Sequence, residues 1–474
     1  MRTPCAFLPA LVTLITSSIA AETPTRVTVN PSQLKQVYQG LGSGAIFYEG
    51  HITSLAARQK DSRQKELYDD LFAKVPTQYL QLMIRHDHEP QNDNADPWTQ
   101  AFDPANFKYC EHTLAIAKAA RERQPAIQLF ATLYTPPAWM KTNNSEGGGG
   151  QSKATIKPKM ELEVAEFIWA FLAHMARNGA PIQYLAIANE PDWPHEQPGY
   201  YLTAEANASL FKVVADYLVK MGTTHRDVPV PKLVGPNTLS APEAAKSYLP
   251  ELLRKAGNQL AVIAAHDYDM RGDRWGDLQK VARGRPVWLS EWCSRGEDES
   301  PGQIKAATEY AFAMHEAFTG GANVFMAYNW AYPPRKGGEA LVHIDWGKDY
   351  ELKKPYWLFR QWASPLGPGM RIAGAAAHGP GASKGTEPGI KPTAFLSPDS
   401  RKLVVHVVNT QDKEAPILLT VSGAFASANA VKRQRTSATE DIADIPPLKR
   451  ETQGFPDTLP SRSMVTYIFG DAVR

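Results

Sequence analysis

The sequence predicts an α/β fold: a (β/α)8 TIM barrel with an attached β-sandwich formed by strands from both chain ends. Three observations carry this expectation: eight short apolar runs, amphipathic stretches between them, and a change to β-type patterning after about residue 366. The runs centre near Leu41, Leu82, Phe130, Ala186, Val234, Ile263, Val287 and Phe325. Continuous apolar stretches such as AIQLFATL (126–133) and LAVIAAH (260–266) suit strands buried on both faces. Between them, Val164, Phe167, Ile168, Phe171, Leu172 and Met175 recur at helical spacing within Glu161 to Arg177, and similar stretches run from Ala204 to Met221 and from Ile304 to Phe318. Strand alternating with helix eight times is the pattern of a closed parallel barrel. The rival, a doubly wound open sheet, calls for a glycine-rich loop opening a helix, and Gly40-Leu41-Gly42-Ser43-Gly44 precedes no helical periodicity.

Beyond the barrel, LVVHVV (403–408), PILLTV (416–421) and MVTYIF (464–469) read as strands, and RVTVN (26–30) shares their alternation. The Gly-, Pro- and Ala-rich stretch from Ala375 to Pro392 reads as a long loop. The expected organisation is a leader over 1–20, a sandwich strand within 21–34, the barrel over 35–365 and the sandwich over 366–474. The leader is an apolar segment from Ala6 to Ile19 after Arg2, too short to span a bilayer. It ends in Ser18-Ile19-Ala20, the small-residue pattern of a signal-peptidase site. Export to an extracellular or periplasmic location is therefore expected.

Lys+Arg 51 against Asp+Glu 49 leaves a formal charge of +2, which argues against a nucleic-acid footprint. Of three cysteines, Cys5 lies in the leader, leaving Cys110 and Cys293 either free or paired. A chain of this length buries enough core to need no disulfide.

In such a barrel, polar residues at the C-terminal strand ends are the first candidates for chemistry. Asn189-Glu190-Pro191 follows the fourth run and Glu291-Trp292 follows the seventh. Either Glu alone is most simply a solvated loop residue. Together they project into one cleft, and paired carboxylates flanking a bond are the machinery of glycoside hydrolysis.

At these two positions the chain resembles the clan A retaining glycoside hydrolases. Family 30 is suggested more narrowly by Tyr134-Thr135-Pro136-Pro137-Ala138-Trp139-Met140-Lys141-Thr142-Asn143 after the third run. So is Pro355-Tyr356-Trp357-Leu358-Phe359-Arg360-Gln361-Trp362, followed by Pro368-Gly369-Met370-Arg371-Ile372, and so is Leu459-Pro460-Ser461-Arg462-Ser463-Met464-Val465-Thr466 near the end. The likeness covers the chain from about Thr28 to Phe469 and implies the same barrel-plus-sandwich architecture. It implies that Glu190 is the general acid/base and Glu291 the nucleophile, with Glu190 held neutral, Glu291 charged and the carboxyls about 5–5.5 Å apart. It further implies that Asn189 bonds the sugar 2-hydroxyl, that Arg85 steadies Glu291, and that His266 or Tyr268 stands beside the same carboxylate. Trp139 and Trp330 are expected either as walls of the sugar site or as core.

Two stretches depart from the family pattern, Gly42-Ser43-Gly44-Ala45-Ile46-Phe47 and His86-Asp87-His88-Glu89-Pro90-Gln91-Asn92-Asp93-Asn94. Both line the expected cleft, so they bear on the substrate rather than the chemistry. The second supports a reading of another class, a metal-dependent barrel hydrolase seeded by His86 and His88 and completed by His266 and an acidic residue. A glycan-binding protein without activity is the third class, and the two carboxylates weigh against it. The preferred reading needs no cofactor or metal. It takes a β-linked polysaccharide or glycoside as partner, with no nucleic acid, no integral membrane association, and a monomeric state. The resemblance spans xylan-, β-1,6-glucan- and glucosylceramide-cleaving enzymes. Arg335, followed by Lys336, would suit a glucuronate branch, so glucuronoxylan or xylan is the first glycan considered.

Overall fold

The structure is a computed structural model. It describes residues 23–470 except 56–60, 95, 100–102, 269–273, 335–336, 346–347 and 384. The expected leader and the Arg335-Lys336 pair lie outside the described residues.

Strand β1 (Thr25–Val37) precedes the barrel. The barrel closes from eight parallel strands: β2 (Gly40–Ala45), β3 (Tyr79–Ile84), β4 (Gln128–Leu133), β5 (Tyr184–Ala186), β6 (Lys232–Thr238), β7 (Leu260–Ala265), β8 (Val287–Trp292) and β9 (Val324–Ala327). All eight runs read from the sequence are these strands. They are apolar on both faces because the inner face fills the barrel and the outer face packs beneath helices. Tyr79, Phe130, Val234, Val262, Trp288 and Met326 form the inner packing, with the Trp288 ring 4.7 Å from Tyr79 and 4.8 Å from Tyr184. A smaller cluster of Ile46, Met83 and Tyr134 lies apart from it, towards the C-terminal strand ends. The helices Glu161–Arg177, Ala204–Thr224 and Ile304–Gly320 lie where the periodicity puts them.

After the barrel come β10 (Asn329–Tyr332), β11 (Ala340–Ile344) and β12 (Tyr350–Leu352), which form a separate three-stranded sheet. The remaining strands are β13 (Arg371–His378), β14 (Ile390–Leu396), β15 (Leu403–Asn409), β16 (Ala415–Val421), β17 (Ala430–Ser437), β18 (Glu440–Lys449), β19 (Phe455–Leu459) and β20 (Ser463–Phe469). With β1 they make one nine-stranded sheet, ordered β18-β17-β20-β15-β14-β13-β1-β16-β19. This sheet folds over on itself. Asp457 on β19 accepts from Arg433 of β17 and from the Tyr467 hydroxyl of β20, each at 2.7 Å. Val27, Val29, Ile417, Val405, Val465 and Phe469 share the core between the two halves. Strand β1 is locked in by antiparallel pairing to β13 and parallel pairing to β16, so both chain ends build the sandwich.

The expected loop from Ala375 to Pro392 is corrected by this pairing. Ala375, Ala376 and Ala377 lie in β13 opposite Val29, Thr28 and Val27, and Ile390 already begins β14. Small residues hide a strand whose partner supplies the branched side chains. Cys110 and Cys293 are both free and buried, which resolves the alternative left open by the sequence. Among the described residues, no helix is long and apolar enough to cross a membrane.

Candidate active site

A cavity of ≈ 580 Å³ opens at the C-terminal ends of the barrel strands. Phe47 and Tyr48 line it from the loop after β2, Tyr134 from just past β4, and Asn189 and Glu190 from just past β5. His195, Gln197 and Pro198 come from the following loop, Glu291 from β8, and Tyr328 and Tyr332 from the segment around β10. Another cavity, of ≈ 420 Å³, is lined by Tyr79, Tyr184, Lys232 and Trp288 and holds no carboxylate.

Glu190 and Glu291 meet in the first cavity, both nearly inaccessible to solvent. One oxygen of each and one nitrogen of His266 lie within 4.8 Å of one another. The backbone is arranged to bring this about. Glu190 has φ 45°, outside the usual region for a non-glycine residue, and its N–H donates to the Asn237 carbonyl at 2.9 Å. Asn237, also at positive φ (62°), donates to the Ala188 carbonyl at 3.0 Å and accepts from Ser290 at 2.6 Å. Such strain is stored at functional sites when the surrounding structure over-determines it. On β8 the pairing register shifts between Leu289 and Trp292. That irregularity lets Ser290 and Glu291 both face inward while Trp292 packs in the outer core against Tyr310.

The two carboxylates have different partners. His266 Nδ1 lies 2.7 Å from Glu190 Oε1 and 3.6 Å from Glu291 Oε1, between the pair. His195 Nε2 stands 2.9 Å from Glu190 Oε2, near in distance but off the line of an N–H donor, so it counts as an ion-pair contact. Glu291 accepts from two phenols, Tyr134 at 2.7 Å and Tyr268 at 3.1 Å. Burial pushes both carboxyls up. At Glu190 the two imidazoles overturn that effect and hold it down at about 2. At Glu291 burial prevails, helped by repulsion from Glu190 and opposed by His266 and the phenols, so it stays above the usual carboxylate range. This corrects the expectation of a neutral Glu190 beside a charged Glu291. The resting proton is on imidazole rather than on Glu190, in keeping with the raised His266, whose burial penalty is outweighed by the charge of Glu291 and the bond to Glu190.

Other expected residues divide. Asn189 lines the cavity with its buried Oδ1 unpaired, and His266 and Tyr268 stand where expected. Arg85 does not line the cavity and pairs elsewhere: its guanidinium is 3.4 Å from Asp87 and 3.9 Å from Glu49, with its centre 5.1 Å from the Tyr109 ring. Asp87, which accepts from the arginine Nε, is the closer of these two partners, and the buried Glu49 is pushed up to about 7 by desolvation. Trp139 is half-buried, donates to the Glu89 carbonyl at 3.0 Å and does not line the cavity. Trp330 is fully buried between Phe72 and Phe359, a core residue on β10 rather than a wall. Aromatic walls are present, but Tyr48, Tyr328 and Tyr332 form them.

The metal reading of His86 and His88 fails on placement. His86 pairs with Glu146 at 2.7 Å, whereas His88 is buried, stacked on Phe167 at 3.8 Å, and pushed down to about 4 by desolvation. Neither reaches His266. Among the described residues, only Glu190, His266 and Glu291 have the spacing to hold a cation. Their oxygens already face two phenol donors and two imidazoles, so the donor set suits protons and sugar hydroxyls better than a metal.

Two residues at the site went unread. Tyr134 follows Phe130 and Thr132 at the period of two that faces the barrel interior, a signal present in the sequence. His195 carries no such signal, because it lies in the long loop 187–203 that brings it back over Glu190.

Comparison with known proteins agrees with this geometry. The sequence profile described as O-Glycosyl hydrolase family 30 matches residues 104–228. The Caenorhabditis elegans protein named "Putative glucosylceramidase 2" is 21% identical over 426 residues, covering 85% of this chain and 80% of that one. Among solved structures, the family 30 subfamily 8 xylanase of Clostridium acetobutylicum superposes with TM-score 0.70 at 19% identity, covering 94% of this chain and 99% of that chain. Xylanase C of Talaromyces cellulolyticus gives TM-score 0.72 at 18% identity over 94% and 99% of the two chains. Profile, relatives and fold point the same way: the chain is similar to the family 30 O-glycosyl hydrolases.

Proposed function

We propose that the protein cleaves a β-linked glycan by double displacement, with Glu291 as nucleophile and Glu190 as general acid/base. The observation that carries this reading is the spacing of the carboxylates, whose near oxygens lie within 4.8 Å. An inverting site needs roughly 6.5–9.5 Å between carboxyls to seat the attacking water. Glu291 attacks the anomeric carbon while Glu190 delivers a proton to the departing oxygen; Glu190 then takes a proton from the water that releases the sugar. Asn189, with its unpaired Oδ1, is placed to accept from a sugar hydroxyl.

Among the described lining residues, the titrating side chains are Glu190, Glu291 and His195 plus phenols, with no lysine or arginine. That lining favours a sugar uncharged at the point of cleavage. Unbranched xylan is the first substrate to assay, followed by glucuronoxylan, β-1,6-glucan and a glucosyl lipid, and the export expected from residues 1–20 makes these accessible glycans. Proton NMR of the first product formed tests the mechanism. The β-anomer should appear before mutarotation, and initial release of the α-anomer would overturn the assignment.

Tyr134→Phe removes one of the two donors to Glu291. A hydrogen bond to a charged group is worth about 1.5–3 kcal/mol, so kcat should fall roughly 10-fold or more. The sign with pH is fixed by the same contact. Tyr134 opposes the upward push of burial on Glu291, which must be ionised to attack, and activity is lost as pH falls through its pKa. The acid limb of kcat/KM should therefore move to higher pH in the variant. An unmoved limb would mean that the bond does not govern Glu291.

A further inference from the structure

Two imidazoles hold Glu190, and they reach it by different routes. His266 stands at the end of β7, part of the barrel. His195 stands on the loop after Glu190, and that loop is held by a second one built from Gly147, Gly148, Gly149 and Gly150. Gly150 N–H donates to the His195 carbonyl at 3.1 Å and Gly148 N–H to that of Gln197 at 3.0 Å. A Cβ on Gly148 would lie 2.4 Å from the His195 carbonyl oxygen, so only glycine permits the approach. The buried Lys141 ammonium ties the two loops, donating to Gly147 at 2.8 Å and Gly199 at 2.6 Å. A four-glycine run and a buried lysine are thus spent on seating one imidazole 2.9 Å from Glu190.

We propose that His195 is a positioning residue that stores the proton Glu190 transfers, and that the glycine run exists to place it. This rests on the acid/base reading of Glu190. Before cleavage Glu190 is anionic and the proton rests on the imidazole side of the cluster, from which His195 passes it on across the 2.9 Å contact. As the glycosidic C–O bond breaks and its electron pair goes to the leaving oxygen, Glu190 gives that oxygen a proton and receives one from His195, which ends neutral. In the second half the attacking water loses a proton to Glu190, and the proton returns to His195. The off-line contact in the free protein is of the kind that tightens when substrate binds.

The groups facing Glu190 are His195 and Asp192 from its own loop, His266 from β7, Glu291 from β8, and the phenols of Tyr134 and Tyr268. Three of them, Glu190, His195 and His266, share the transferable proton. The last proton held by three sites is held more tightly than the last proton held by two. Removing His195 should therefore lower the pH at which the acid is exhausted.

The experiment compares His195→Gln and Gly148→Ala with the wild type on phenyl and 2,4-dinitrophenyl β-glycosides. Glucosides and xylobiosides are both prepared, and the series that the wild type turns over is used. With the phenyl leaving group, His195→Gln should lose roughly 10-fold or more in kcat/KM, and its alkaline limb should fall by about half a pH unit or more. With dinitrophenolate, which needs no proton to leave, kcat/KM, which reports only the glycosylation half, should stay within about 2-fold. Gly148→Ala should reproduce the leaving-group-selective loss with both imidazoles still in the chain. Equal loss on both substrates, or an unmoved alkaline limb, would overturn the proposal. Glu190→Ala run alongside separates the two readings. If it too is indifferent to leaving group, the acid/base assignment itself fails; if it is selective and His195→Gln is not, only the role of His195 falls.

Discussion

Glu291→Ala is expected to abolish turnover of every β-glycoside, with poor and good leaving groups alike. Among the described lining residues, nothing else can take its place. Glu190 is engaged by two imidazoles, and the phenols of Tyr134 and Tyr268 are held far above neutral pH by burial. A loss of roughly 10⁴-fold or more, about 5.5 kcal/mol of activation free energy, is the expected scale for removing the attacking group. The geometry adds a second signature. Azide entering the space left by the carboxylate would attack from the face Glu291 occupied and give the α-glycosyl azide in a single inversion. Activity near wild type in Glu291→Ala, or a β-glycosyl azide from it, would contradict its role as nucleophile.

The barrel was readable because its strands are buried on both faces, so apolar runs alone mark them. The sandwich was harder for an equally physical reason. Strand β18 is half exposed and β17 mostly half-buried, and β17 is rich in charge, as in AVKRQRTS, so they lack the apolar runs that betrayed β15 and β20. Strand β13 is concealed by Gly374 and its alanines, which suit a position between β1 and β14 but resemble a linker by composition.

At the site, residues fixed to strand ends were legible and residues set by competition or loop closure were not. Glu190, Glu291, His266 and Tyr268 lie at or just past the ends of β5, β8 and β7, where position along the strand decides direction. Arg85 also follows a strand, yet its guanidinium donates to Asp87 and lies 3.9 Å from the buried Glu49, which comes from a short helix after β2. Trp330 looked like a sugar platform because it is an aromatic residue near the end of the last barrel strand. The chain re-enters a strand at Asn329, and the indole turns into the core. The protonation order was misread for the same reason as Arg85: a second partner, His195, arrives from a loop whose path no periodicity encodes.

Glu190→Ala is the complementary prediction, and its effect should depend on the leaving group. Removing the carboxylate takes away proton delivery to the departing oxygen but leaves Glu291 and its two phenol donors intact. With a glycan or a phenyl glycoside, kcat/KM should fall roughly 10²–10⁴-fold, the usual worth of general acid–base catalysis. With 2,4-dinitrophenolate, glycosylation should proceed near the wild-type rate and the glycosyl-enzyme should accumulate, because the water that releases it now lacks a base. Azide needs no base, so it should accelerate turnover and yield the β-glycosyl azide, opposite in configuration to the product expected from Glu291→Ala. The loss of Glu190 also leaves His195 and His266 without the anion between them, and His266 keeps the charge of Glu291 at 3.6 Å and the weaker influence of Asp192. Its elevated pKa should fall, and a histidine titration followed by NMR should show a downward shift in the variant. Uniform loss across leaving groups, with no response to azide, would move the acid function away from Glu190 and leave its two imidazoles unexplained.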